Sequence, residues 1–186
     1  MQEHGVRPFA QVNRATGLGR FLRALHDDAP WPTGAPDARD PRQRISSLVP
    51  PSAFNFAEFL EPGIRDLVLA VTRDGGLLTY SSCEGHHDPE NGVASPASVG
   101  FLATDDDEYL RLHAALQRLA ESVNAGLTTG SACSAAVNEA RIESEVGEVP
   151  VLDLWFLPRA DWSSYFRSLP TAISVATSLV AHSEWL

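Results

Sequence analysis

Residues Thr79 to Asp88 read Thr-Tyr-Ser-Ser-Cys-Glu-Gly-His-His-Asp and place hydroxyls, a thiol, two carboxylates and two imidazoles in one short run. Three kinds of chemistry are open to such a segment. The first is metal binding by Cys83, Glu84, His86, His87 and Asp88, which supply suitable donor atoms. Adjacent residues of an extended chain point to opposite sides, so His86 and His87 cannot chelate one ion together. His113 falls in a helical pattern and His182 near the C-terminus, so no second cluster offers partners and no metal site is expected. The second is nucleophilic catalysis by Cys83 with His86 or His87 as base; Glu84, Asp88 and Glu90 nearby would raise the thiol pKa and oppose it. The third is a pocket for a small polar ligand or nucleotide, built from the hydroxyls of Thr79, Ser81 and Ser82, backbone donors near Gly85 and the His86 ring. A tight Ser/Gly turn without a ligand is the plain alternative.

The elements that must position this run follow from periodicity. Phe56, Phe59, Leu60, Ile64, Leu67, Val68 and Val71 recur at helical spacing, with Pro62 in a first turn and Gly75-Gly76 as the stop. Leu77 to Ser82 reads as a strand entering a loop over 83–92, and Ser98 to Ala103 as a second strand. Thr104 or Asp105 caps the next helix, and Glu108 three residues after Asp105 makes a capping-box-like start; its buried face is Tyr109, Leu112, Leu116, Leu119 and Val123, and it ends at Gly126. A small-residue loop, Leu127 to Ala136, leads to strands at 140–146 and 149–157. A final helix spans Asp161 to Trp185, with a break or kink expected at Pro170. Helices and strands in this order make an α+β fold, a mainly antiparallel sheet covered by helices. Residues 1–52, punctuated by Pro30, Pro32, Pro36, Pro41 and Pro50-Pro51, read as an N-terminal arm, and 53–186 as one domain.

Composition narrows the functions. All 14 basic side chains among the 186 residues are arginines, so Schiff-base chemistry and a P-loop lysine are excluded. Twenty-four acidic residues give a formal charge of −10, which argues against nucleic acid as a partner. No apolar run is long enough to span a membrane. The first ten residues include Glu3, His4 and Arg7 and lack the apolar region of a secretory signal, so a cytoplasmic location is expected, with Cys83 and Cys133 as thiols. No Gly-x-Gly-x-x-Gly motif follows a strand, which disfavours a Rossmann-type site.

The run Leu78 to His86, with Ser81-Ser82-Cys83-x-Gly85 at its centre, resembles the Thr-Ser-Ser-Cys-x-Gly-Arg segment of the tRNA wybutosine-synthesising protein 3 family. Gly126-Leu127-Thr128-Thr129-Gly130-Ser131 is similar to the family's turn after a helix, Ile142 to Val151 to its strand pair, and Asp161 to Ala181 to its closing helix. The resemblance covers residues 56 to 181 and implies an S-adenosylmethionine-dependent methyltransferase. It implies a cofactor pocket formed by Ser81, Ser82, Gly85, Gly126, Thr128, Thr129, Gly130 and Ser131, with His86, Glu84 and Cys83 as catalytic candidates. The family's arginine after the glycine is His86 here, and its central region is shortened to Asp88–Ala97. With no basic surface, a small or unknown substrate is expected in place of tRNA. The alternative is a non-catalytic protein that keeps the fold and binds a protein partner through its N-terminal arm.

Overall fold

The computed structural model describes residues 56–182, apart from 75, 76, 89, 91, 104, 145 and 146; the proposed N-terminal arm lies outside the described residues. The fold is α+β. Four antiparallel strands, β1 (Leu78–Cys83), β4 (Ala97–Leu102), β5 (Cys133–Ser144) and β6 (Gly147–Pro158), form a sheet in the order β1-β4-β6-β5. A separate two-stranded hairpin pairs β2 (His86–Asp88) with β3 (Val93–Ser95). The helices α2 (Asp106–Gly126) and α3 (Trp162–His182) pack on each other and on the sheet, and α1 (Arg65–Leu69) packs on α3, making two layers.

Period-2 alternation explains which side of the sheet faces the helices. Cross-strand partners share a face, and the rows Ala97–Phe156, Val99–Leu154 and Phe101–Leu152 are completely buried. Leu112, Leu116 and Val123 of α2 and Leu169, Ala172 and Ala176 of α3 complete this core at helical spacing. Tyr165 is fully buried among them, and its hydroxyl accepts from the Ala97 N–H at 2.8 Å and donates to the Phe156 carbonyl at 2.7 Å. One side chain of α3 thereby ties two neighbouring strands together.

The capping reading of α2 is met: the Asp105 carboxylate accepts from the Glu108 N–H at 2.7 Å, and Asp106, Asp107 and Glu108 complement the helix dipole. Other elements differ from expectation. The segment from Phe56 to Asp74 is not one helix but a 3₁₀ turn (Phe56–Phe59), the short α1, and a π-helical turn (Ala70–Asp74). Glu61-Pro62-Gly63 interrupts it, with the Glu61 carbonyl accepting from both Ile64 and Arg65 N–H groups. Phe56, Leu60, Ile64, Leu67, Val68 and Val71 are nevertheless all buried, as the spacing requires. The loop after Cys83 contains the β2–β3 hairpin, and β5 begins at Cys133, inside the stretch read as a loop. The helix α3 continues through Pro170, because Leu169, Ala172 and Ile173 on either side of it are buried and offset the lost backbone bond. Pro150 lies in β6 beyond the last row paired to β4, where the strand has a neighbour on one side only and proline is tolerated.

Candidate functional site

The end of β1 turns sharply through Gly85, which adopts φ +81°, a conformation that side-chain-bearing residues rarely take. A Cβ there would stand 3.0 Å from the Ala97 nitrogen, 3.1 Å from the Ser95 carbonyl and 3.3 Å from the Phe166 ring. Glycine therefore lets the chain pass tightly between β3 and α3 and carries Cys83 and Glu84 on one side into His86 and His87 on the other.

The two histidines diverge, as their adjacency demands. His86 Nε2 lies 3.3 Å from Glu61 Oε1, with the His86 side chain 40% exposed and that of Glu61 19%. His87 is exposed and stacks on Phe166, ring centroids 5.3 Å apart and planes 7° from parallel. Trp162 stacks in turn near Phe166 at 6.0 Å and meets Tyr165 edge-on at 5.4 Å. The first turns of α3 thus present an aromatic cluster beside the β1 turn.

Glu61 is the residue that sequence reasoning missed. Its other carboxylate oxygen, Oε2, accepts from the Glu84 N–H at 2.6 Å, while the Glu84 carboxylate accepts from the Gly63 N–H at 2.6 Å. The two segments clasp each other through these reciprocal bonds, and the clasp aims Glu61 Oε1 at the imidazole. Ser95 adds a further hold: its hydroxyl accepts from the His86 N–H at 3.2 Å and hydrogen-bonds the Cys83 thiol. The Gly85 N–H also donates to Cys83 Sγ at 3.4 Å.

Burial pushes the Cys83 thiol upward in pKa; the Gly85 N–H and the Ser95 hydroxyl draw it back in part, and the charges of Glu61 and Glu84 add to the rise. Cys83 is held as the neutral thiol, the state that the neighbouring acids were expected to favour. Glu61, Cys83 and His86 each offer one donor atom, and these atoms all lie within 4.8 Å of one another. Among the described residues, this is the group in which nitrogen, oxygen and sulfur donors converge.

The remaining candidates fall elsewhere. Ser81 and Ser82 are consecutive on β1, opposite Gly100 and Val99, so their side chains leave opposite faces of the sheet. The Gly126–Ser131 turn enters β5, the other edge of the sheet, and three strand spacings, about 14 Å, separate the two edges. Within it Thr128 and Thr129 are exposed, Gly130 has φ +93°, and the Ser131 N–H donates to the Thr128 carbonyl. The structure gathers Cys83, Glu84, Gly85 and His86 around Glu61 and places this turn at the same end of the sheet, beyond β4 and β6. His113 pairs instead with Glu139 at 3.4 Å, on α2 and β5. Comparison of the chain with protein-family models, with curated proteins and with solved structures finds no match.

Proposed function

We propose that the chain binds S-adenosylmethionine or another adenine-containing small molecule beside the end of β1, and that it is methyltransferase-like in its chemistry, with a small substrate in place of tRNA. The observation that carries this reading is the arrangement about Gly85: a partly exposed carboxylate–imidazole pair, Glu61 and His86, and a ring face, His87 on Phe166. A heteroaromatic ligand uses both, ring stacking for affinity and hydrogen bonds at the ring edge for orientation. The Ser81-Ser82-Cys83-x-Gly85 resemblance adds the expected ligand class.

Methyl transfer to an oxygen or nitrogen releases a proton, and the rest of the catalysis is the positioning of donor and acceptor. His86 is the group placed to take that proton, with Glu61 steadying the imidazolium that results. Glu84, held by the Gly63 N–H, acts as a positioning residue for Glu61, and Cys83 as a neutral thiol contributes no nucleophile. Calorimetric titration of the folded protein with S-adenosylmethionine tests the reading, and heat of binding is expected.

A further inference from the structure

We propose that Glu61, Cys83 and His86 form a binding site for a divalent transition-metal ion of the zinc class, with a fourth position open to solvent or ligand. The donor set is one that such ions select: a thiolate, an imidazole and a carboxylate, softer than the all-oxygen sets of magnesium or calcium. Its geometry fits as well. With metal–nitrogen and metal–oxygen bonds of about 2.0–2.1 Å, two ligands of a tetrahedral site stand about 3.3 Å apart. His86 Nε2 and Glu61 Oε1 already lie at 3.3 Å. All three donor atoms lie within 4.8 Å, so the sulfur need close by only about an ångström to reach the tetrahedral edge.

The outer hydrogen bonds are of the kind that fix metal ligands in place. Glu61 Oε2 is anchored by the Glu84 N–H, leaving Oε1 free to coordinate. Cys83 Sγ accepts from the Gly85 N–H and is bonded by Ser95, whose oxygen also holds the His86 backbone. The His86 side chain is 40% exposed, which leaves an entry path for the ion. Binding displaces the Cys83 thiol proton to solvent, so metal uptake is accompanied by acid release. The site stands independently of adenine binding. Where both hold, a metal-bound acceptor hydroxyl is made acidic by the ion, and His86 is relieved of the role of base.

The test uses the full-length chain stripped of metal with a chelator and titrated with Co²⁺ alone, without any adenine ligand. Saturation at a single ion per chain is expected, with a thiolate-to-cobalt charge-transfer band and the strong visible bands of tetrahedral cobalt. Cys83→Ser removes the charge-transfer band, Cys133→Ala keeps it, and His86→Ala weakens Co²⁺ binding at least about tenfold. Glu61→Gln keeps the shape and the bond from Glu84 but loses the anionic ligand, and it also weakens binding in a chain whose folding circular dichroism confirms. A folded wild-type chain that shows no charge-transfer band at excess Co²⁺ overturns the proposal, as does a band that survives Cys83→Ser or binding that is unchanged in Glu61→Gln. Failure to bind S-adenosylmethionine leaves each of these readouts intact, so the two proposals fail separately.

Discussion

The Tyr80 hydroxyl donates to the Asp153 carboxylate at 2.5 Å across β4, although 73 residues separate them. Asp153 is buried, and burial of the Tyr80 hydroxyl, then its hydrogen bond to Asp153 and the charge of that carboxylate, push the hydroxyl far above its ordinary pKa. The ring reaches Asp153 by lying over Gly100, where a Cβ would come within 2.5 Å of it. Gly100→Ala therefore forces the ring aside, and equilibrium denaturation is expected to show a loss of about 1–3 kcal/mol. Tyr80→Phe leaves the buried carboxylate without this donor and costs about 1–3 kcal/mol by the same measurement. A Gly100→Ala chain as stable as wild type would show that Tyr80 does not occupy this position.

Tyr165 satisfies two backbone groups in the core at once, the Ala97 N–H and the Phe156 carbonyl. Tyr165→Phe keeps the packing and orphans both. Denaturation midpoints are expected to fall by an amount corresponding to about 1–3 kcal/mol, with amide exchange at Ala97 accelerated more than at Leu154.

The two thiols are expected to differ in reactivity. Cys133 is fully buried and Cys83 only partly, so a thiol reagent labels Cys83 in the native chain and both after denaturation. Burial pushes the Cys133 thiol up to about 11, with Arg159 drawing it partly back. The folded state holds this proton more tightly than the unfolded state, so the associated stability is intact below the unfolded thiol pKa of about 8.5 and is lost as pH rises towards 11. Urea midpoints should decline over that alkaline window, and less steeply in Cys133→Ala.

What was legible in the sequence was local. Asp105 and Glu108 announce α2 because a cap is made by residues three apart, and the apolar spacing of Phe56 to Val71 gives the buried positions even where the backbone is not one helix. The start of β5 was hidden because Cys133 to Ala136 have no alternation of polarity; they become a strand by pairing with the apolar β6, a tertiary effect. At the site, the Thr79–Asp88 run stood out by composition, and the divergence of His86 and His87 followed from adjacency. Glu61 did not, because its place opposite His86 depends on Glu84 clasping the turn before α1. No spacing rule links residues brought together in this way.

Gly85 holds the candidate site in shape, and the site should be sensitive to it. Gly85→Ala is strained by the positive φ and by contacts of 3.0 to 3.3 Å with Ala97, Ser95 and Phe166. A stability loss of about 1–3 kcal/mol is expected, accompanied by displacement of the His86 and His87 ring resonances in NMR spectra. Unchanged resonances would show that the turn does not position the rings.

Ligand binding beside Gly85 is tested most directly by calorimetry of the folded chain with S-adenosylmethionine and with ATP, repeated on His87→Ala. His87 is exposed, so its removal alters the stacking face while sparing the core. Binding of at least one of the two ligands is predicted, weakened about fivefold or more in His87→Ala. No heat from either ligand at millimolar concentration, or an affinity that His87→Ala leaves unchanged, would contradict it.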